Sequence, residues 1–176
     1  MSYVKRYAEL KLEGLEVGSA WKPTPHGQFL AVVLSDLNMF ADRKVLELGA
    51  GVGNHSIPIL RQQPRQLIVT EYCQEFLDVA QENIERMMGK DQPIDYQVID
   101  WLHLSEDLLE QFDVLVTNPP FCMSGKRYRR YFIDSLILNA HKALKQGGEL
   151  IFVQSSMADV NRSVNLMQEN GFTDVE

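Results

Sequence analysis

Apolar residues follow two patterns in turn along the chain. Short runs dense in apolar and β-branched residues, bounded by polar or glycine-containing segments, are typical of buried strands. Five such runs are present: Lys44–Leu48, Gln66–Thr70, Ile94–Ile99, Phe112–Thr117 and Glu149–Gln154. They predict a sheet of at least five strands.

The segments around these runs have the apolar spacing of amphipathic helices, in which apolar side chains recur every three or four residues. Four helices are predicted: Gly27–Phe40, Gln74–Met88, Arg130–Leu144 and Met157–Asn170. Gly147 and Gly148 are predicted to stop the third helix, and Gly171 the fourth. Strands that alternate with helices predict an α/β fold. We expect a Rossmann-like, doubly wound and mostly parallel sheet with helices on both faces.

The length of 176 residues suits one domain. Within it we expect an N-terminal segment with the leader helix over residues 1–40 and a ligand-binding core over residues 41–176. The chain ends at 172–176, where a sixth strand would begin, so the C-terminal hairpin is expected to be incomplete. Either the sequence is a fragment or a partner chain completes the sheet edge.

Composition narrows the class of protein. Hydrophobic residues make up 45% and charged residues 23%, values that suit a globular domain and exclude a disordered tail or a fibre. The net charge of -7 argues against a protein that coats nucleic acid by charge alone. Cys73 and Cys122 have no metal or redox spacing, and a cytoplasmic location is expected. No histidine cluster indicates a metal site.

A glycine-rich turn follows the first predicted strand. Gly49, Gly51 and Gly53 allow a left-handed backbone and close approach of a ligand, at the start of a helix opened by Asn54. Dinucleotide-binding turns read G-x-G-x-x-G, whereas the third glycine here comes one residue earlier. The turn therefore predicts a ligand in the crevice above the strand ends, held in part by the backbone at Ala50.

Glu47 lies two residues before this turn, inside a strand end that should be buried. A buried carboxylate is costly unless a cation or hydrogen-bond donor meets it, and the α-amino group of a ligand would do so. The alternative is a plain strand–turn–helix with Glu47 at the surface.

Further polar and aromatic residues follow the next two strands. Glu71 closes the second strand, where an acid accepts the ribose hydroxyls in nucleotide-binding α/β folds. Tyr72 could flank an adenine ring. Asp100 and Trp101 follow the third strand and could hold an adenine amino group and ring. For Glu71 the alternative is a solvated loop acid, and for Trp101 a core position.

The fourth strand leads into Asn118, Pro119, Pro120 and Phe121. Two prolines stiffen the backbone and direct carbonyls outward, while the Asn118 amide adds an acceptor. The Asn118 side-chain oxygen and the Pro119 carbonyl could take both hydrogens of a planar amino or amide nitrogen, and Phe121 could stack on that group. Such a site would act by orientation and electrostatics. The alternative is a proline turn that only ends a strand.

Taken in this order, the glycine turn, the acids and the Asn-Pro-Pro-Phe turn resemble class I S-adenosylmethionine-dependent methyltransferases, in particular the methyltransferase small domain group. The resemblance covers roughly residues 15–176. It implies an adenine contact at Asp100 and Trp101, and methionine and ribose contacts at Glu47, Gly49, Gly51, Gly53 and Glu71. It also implies the cofactor S-adenosylmethionine, with S-adenosylhomocysteine as product, and an acceptor site at 118–121.

The resemblance leaves several acceptors open. Related enzymes methylate exocyclic amino groups of bases in RNA or DNA, or a glutamine amide in release factors. The short link after Phe121 and the segments 15–19 and 125–126 are similar to ribosomal guanine-N2 enzymes, although Cys122 stands where those have histidine. A basic and aromatic run suits phosphates around a target base: Lys126, Arg127, Tyr128 and Arg129. Its alternative is a solvated helix start.

RNA is therefore the expected substrate, with a protein glutamine as the alternative, and no membrane is expected as a partner. Two other classes compete. A nicotinamide oxidoreductase would need a glycine at the sixth position of the turn, where this chain has Asn54, and its reaction would not require the Asn-Pro-Pro-Phe turn at 118–121. A non-catalytic cofactor-binding subunit would keep the same fold.

Overall fold

A computed structural model describes residues 2–100, 104–120 and 130–175. The described chain contains a five-stranded parallel sheet in the order β3-β2-β1-β4-β5. The strands are β1 (Lys44–Leu48), β2 (Gln66–Glu71), β3 (Ile94–Val98), β4 (Phe112–Thr117) and β5 (Leu144–Phe152). After Lys44, central β1 consists of apolar residues interrupted by Glu47, as expected for a strand covered on both faces.

Six α-helices accompany the sheet in the described residues: α1 (Tyr3–Glu9), α2 (Pro25–Leu37), α3 (Ser56–Leu60), α4 (Gln74–Met88), α5 (Tyr131–Ala143) and α6 (Val160–Glu169). Thr24 caps α2 through its hydroxyl, which accepts a hydrogen bond from the Gly27 backbone N–H at 3.2 Å. Proline in the first turn of α2 is favoured because its missing N–H would have had no partner there.

The two faces of the sheet are covered unequally. Residues of odd number in β1, such as Val45, pack in a cluster with α1 to α4, whereas Leu46 and Leu48 pack in a second cluster with α5. Side chains alternate between faces along a strand, so Glu47 points into the layer formed by α2, α3 and α4. The expected α/β fold with helices on both faces is thus confirmed.

Some predicted boundaries differ from the structure. Helix α5 ends at Ala143, and Gly147 and Gly148 lie inside β5, where pairing with β4 is irregular. A Cβ on Gly148 would come within 3.0 Å of the Phe112 carbonyl oxygen, so Gly148 permits close strand pairing, whereas Gly147 has a φ of +76° with open space around it. Neither glycine stops the helix. Helix α1 was missed. It is too short for periodicity to identify, and its Tyr7 is buried against the main cluster.

No helix in the described ranges is long and apolar enough to cross a membrane.

Candidate active site

The strand order brings two predicted functional segments side by side. From β1 the chain moves to β2 on one side, whereas β4 pairs with β1 on the other side, with Leu48 opposite Thr117. The crevice between such strands is where ligands bind in open α/β sheets. The glycine turn after β1 and the turn at Asn118 after β4 therefore leave the same edge of the sheet next to each other.

The glycine turn requires glycine for two separate reasons. Gly49 and Gly51 have φ angles of +72° and +58°, which L side chains adopt only with strain. A Cβ on Gly49 would meet nothing within 4 Å, so the backbone here faces open space. Gly53 has φ +82°, and a Cβ there would lie 2.9 Å from Ile84 Cγ1 on α4. The first part of the turn is open to a ligand, and the last part packs against α4.

Four backbone N–H groups of the glycine turn donate hydrogen bonds within the protein. The N–H groups of Gly49 and Ala50 both donate to the Thr70 carbonyl at 3.0 Å, and that of Gly53 donates to Ala50 at 2.9 Å. The Gly51 N–H donates to Glu71 Oε1 at 2.6 Å. Phosphate-binding turns present such N–H groups to the anion. In this turn the N–H groups of Gly49, Ala50, Gly51 and Gly53 donate to the protein instead.

Glu71 ends β2 with its carboxylate beside the glycine turn. Its second oxygen, Oε2, accepts from the Tyr72 N–H at 3.2 Å. The side chain is buried, and burial raises the pKa of Glu71; the two backbone N–H donors oppose that rise, and the negative charge of Glu47 adds to it. Each carboxylate oxygen keeps a free acceptor site, so Glu71 could accept further donors such as hydroxyl groups.

Glu47 is completely buried, at 0% exposure. Its Oε2 accepts a hydrogen bond from the Ser56 hydroxyl, and Oε1 lies 3.6 Å from His55 Nδ1. The surface alternative for Glu47 is therefore wrong. The structure supplies partners for the carboxylate from within the chain, whereas its predicted contact with a ligand amino group stays a prediction.

Asn118 lies directly against the leader helix. A Cβ on Gly27 of α2 would be only 2.9 Å from Asn118 Nδ2. Asn118 is half-buried, Pro119 is buried and Pro120 is exposed. Thr117, the residue before the turn, is fixed to the neighbouring strand because its hydroxyl donates to the Leu48 carbonyl at 2.8 Å. The Asn118 turn is thus held between β1 and the first turn of α2.

The other predicted cofactor-binding residues, Tyr72, Asp100 and Asn54, follow the carboxyl ends of β2, β3 and β1. Tyr72 is 63% exposed, and its ring makes an edge-to-face contact with Phe76 at 5.3 Å. Asp100 is exposed two residues beyond the end of β3. Asn54 is buried, and its amide donates to the Gly27 carbonyl at 3.3 Å. Asn54 therefore ties the glycine turn to α2.

Several predicted residues lie outside the described part of the chain: Trp101, Phe121, Lys126, Arg127, Tyr128 and Arg129. Arg130, the last residue of the basic run, has a structural role. Its guanidinium binds Asp134 at 2.8 Å and donates to Ser163 of α6 at the same distance, which joins the start of α5 to α6.

Sequence reasoning missed two buried residues near the turn. The sequence indicated no role for His55, yet its Nε2 lies 2.9 Å from the Gly27 carbonyl oxygen. The Asn83 amide donates to the carbonyls of Glu16 and Val52, at 2.7 and 3.1 Å, which fastens the N-terminal segment and the glycine turn to α4. A polar residue on the buried face of an amphipathic helix was the available signal for Asn83.

Over residues 2–100, 104–120 and 130–175, no three His, Cys, Asp or Glu side chains are grouped so that they could hold a metal ion. The carboxyl ends of β1 and β2 combine features that suit an organic cofactor. Space beside Gly49, a buried acid at Glu71 and an exposed aromatic ring at Tyr72 line one continuous edge. This arrangement suits a nucleoside with an attached amino acid.

Comparison with protein families and known proteins agrees with this assignment. The sequence model described as the methyltransferase small domain matches residues 26–175. A protein of Methanocaldococcus jannaschii, named as a candidate protein N5-glutamine methyltransferase, is 24% identical over 156 residues, which cover 80% of this chain and 76% of that protein.

Solved structures share the fold. A candidate RNA methyltransferase from Pyrococcus horikoshii superposes with a TM-score of 0.67 at 20% identity, over 97% of this chain and 80% of that chain. A phosphoethanolamine N-methyltransferase from Haemonchus contortus, in complex with S-adenosylmethionine, gives a TM-score of 0.63 at 18% identity, over 83% and 37%. The family resemblance expected from the sequence is confirmed. The Haemonchus contortus protein holds the cofactor that the sequence predicts for this chain.

Proposed function

Because the chain belongs to the methyltransferase small domain family and is an S-adenosylmethionine-dependent methyltransferase, we propose that it methylates a planar amino or amide nitrogen. The observation that carries this proposal is the position of Asn118. It follows β4 beside the glycine turn of β1, and its amide lies against Gly27.

In this proposal the cofactor lies along the edge formed by the glycine turn and Glu71. S-adenosylmethionine, when bound, supplies an electrophilic methyl group. Glu71 accepts the ribose hydroxyls, Gly49 and Gly51 allow the methionine part to lie against the backbone, and Asp100 accepts from the adenine amino group. Glu47 accepts from the α-amino group of the methionine part. These roles rest on the open space at Gly49 and on the burial of both acids.

The acceptor nitrogen is held by the Asn118 turn. The Asn118 side-chain oxygen and the Pro119 carbonyl accept its two N–H groups, which turns the nitrogen lone pair out of conjugation and toward the methyl group. As the C–N bond forms, the bond from the methyl carbon to the cofactor sulfur would break with its electron pair left on sulfur, which gives S-adenosylhomocysteine, and the nitrogen would release one proton to solvent. The neutral Asn118 needs no strong base beside it, because orientation and fixed dipoles lower the barrier. Phe121 stacks on the flat group that carries the nitrogen.

We propose an exocyclic amino group of an RNA base as the acceptor. The support comes from the sequence Lys126–Arg129, which begins five residues after Phe121 and supplies three cations and one aromatic ring. Cations beside a target base would contact the flanking phosphates, and Tyr128 would stack on a neighbouring base. The run is dense in positive charge in a chain whose net charge is -7.

A glutamine amide of a protein is the second candidate acceptor. Its support is the relative from Methanocaldococcus jannaschii, whose name states that activity. An amide nitrogen has the same two N–H donors and the same planar shape as a base amino group, so the Asn118 turn suits both.

A cytoplasmic location and a partner chain along the outer edge of the sheet, at β5, remain proposals from the sequence.

The test is methyl transfer from radiolabelled S-adenosylmethionine into a cell extract, followed by separate digestion with ribonuclease and protease. Label released by ribonuclease supports the RNA base. Label released only by protease contradicts it and supports the glutamine amide. Cofactor binding without any transfer would overturn the proposed activity and favour a non-catalytic subunit. Asn118→Ala serves as the inactive control.

A further inference from the structure

Two buried polar atoms face each other below the glycine turn. Glu47 Oε1 and His55 Nδ1 have no hydrogen-bond partner among the described residues, and they lie 3.6 Å apart. The exposed fractions of the two residues are 0% and 3%. Because buried polar atoms without a partner are costly, this pair requires an explanation.

The contact of the other ring nitrogen, Nε2, shows where the hydrogen of a neutral His55 ring must lie. His55 Nε2 lies 2.9 Å from the Gly27 carbonyl oxygen, which can only accept, so Nε2 carries a hydrogen. In a neutral ring Nδ1 would then be a bare acceptor that faces a carboxylate, which also accepts. A second proton on the ring removes this conflict and pairs a cation with the buried Glu47 carboxylate.

The surrounding charges favour the same state. Glu71 on β2 and Tyr96 on β3 are both in electrostatic contact with Glu47. On α3, the Ser56 hydroxyl already donates to Glu47 Oε2. On α2, the atom facing the ring is the Gly27 carbonyl oxygen. Glu71 supplies negative charge, the Gly27 carbonyl supplies an acceptor, and the Ser56 hydroxyl supplies one donor to Glu47 Oε2, so a doubly protonated His55 would supply the donor that faces Glu47 Oε1.

We propose that His55, doubly protonated, is a positioning residue that joins Glu47 of β1 to Gly27 of α2 and so links the cofactor side of the site to the acceptor side. Gly27 is the connecting element. Its carbonyl accepts from His55 and from Asn54, and its Cα lies against the Asn118 amide. A shift of this turn would therefore move Asn118.

The inference rests on the proposed function for its kinetic test, and two conservative variants separate the two bonds of His55. The amide nitrogen of His55→Asn replaces Nδ1 and keeps a donor toward Glu47. The amide nitrogen of His55→Gln replaces Nε2 and keeps the donor to Gly27. His55→Ala removes both donors.

We expect His55→Asn to bind S-adenosylhomocysteine within about threefold of the wild type, by calorimetry, but to lower kcat about tenfold. We expect His55→Gln to keep kcat within about threefold at saturating cofactor and to weaken affinity about tenfold. His55→Ala should show both losses. A hydrogen bond to a charged group is worth about this much. Equal losses in all three variants would contradict the proposal.

Nitrogen-15 NMR of the histidine rings gives a readout without catalysis. The wild type should show one ring with both nitrogens protonated near neutral pH, and this signal should be missing from His55→Gln. A ring with one unprotonated nitrogen at that position would overturn the inference. An inactive wild type that shows the doubly protonated ring would instead count against the proposed activity alone.

Discussion

The amino ends of the parallel strands form one edge of the sheet, the amino edge, and their carboxyl ends form the other, the carboxyl edge. Carboxylates at these two edges have opposite surroundings. At the amino edge, Asp113 of β4 accepts from Lys145 Nζ at 2.8 Å and from the Lys44 backbone N–H at 2.7 Å, with Arg65 at 3.5 Å. At the carboxyl edge, Glu71 has two backbone N–H donors and no cation among its described contacts. One acid is neutralised by the protein, and the other is left with capacity for a ligand.

The pKa directions express this difference. Burial alone would raise the pKa of Asp113, but the hydrogen bonds from Lys145 and Lys44 and the charges of Lys145 and Arg65 hold it below its ordinary value. For Glu71, burial dominates and the pKa is raised. A perturbed acid at the carboxyl edge is typical of a functional site, whereas a matched ion pair at the amino edge contributes to stability. The comparison therefore supports the proposed site at the carboxyl edge.

The largest expected effect is that of Asn118→Ala. Removing the acceptor side chain should lower kcat roughly 100-fold or more, because fixed polar groups at the reacting centre contribute that much. S-adenosylhomocysteine affinity, measured by calorimetry, should stay within a few-fold. Asp113→Asn at the opposite edge is the matched control and should transfer methyl groups at the wild-type rate. Loss of cofactor binding in Asn118→Ala would place Asn118 in the cofactor site instead.

Glu71→Ala should weaken cofactor affinity by roughly 1–3 kcal/mol, because hydrogen bonds to a charged group are lost. Calorimetric titration with S-adenosylhomocysteine measures this directly. Unchanged affinity would show that Glu71 does not bind the ribose. In that case neither Glu71 at the carboxyl edge nor Asp113 at the amino edge would contribute to ligand binding.

Gly27→Ala tests the contact between α2 and the acceptor turn. Alanine favours a helix by about 1 kcal/mol over glycine, yet its Cβ would lie 2.9 Å from Asn118 Nδ2. We expect kcat to fall about tenfold while the protein stays folded, as checked by thermal unfolding. Gly14→Ala is the control, because a Cβ there meets nothing within 4 Å. Equal activity of both variants would show that this contact does not position Asn118.

The smallest effect is on stability as a function of pH, and its sign should differ between the edges. The raised pKa of Glu71 contributes stability at low pH that is lost as the pH rises through that pKa. The lowered pKa of Asp113 contributes stability above the ordinary aspartate range that is lost as the pH falls, by less than about 1 kcal/mol for a partly exposed pair.

Urea unfolding of the wild type, Glu71→Gln and Asp113→Asn over a series of pH values measures both slopes. Each variant should remove one of them. A common slope for the two acids would mean that the edges do not differ in the way described above.

Much of the fold could be read from local patterns. The apolar runs identified β1 and β4 with their observed bounds, and the periodicity of Gln74–Met88 matched α4. The glycine pair at 147–148 was misread, because the same residues end a helix or permit close strand pairing, and only the partner strand decides between these roles. The sequence indicated that Glu47 is an unusual acid in a buried strand, but it could not identify Ser56 and His55 as its neighbours in the fold.

The sequence by itself determined which residue types follow each strand, and hence the family, because strand, turn and acid spacing are local properties of the chain. Tertiary structure decided what those residues meet. Pairing of β1 with β4 placed Asn118 beside the glycine turn, and the packing of α2 brought Gly27 between His55 and Asn118. Contacts between residues far apart in sequence depend on the whole packing arrangement, so no local pattern could reveal them.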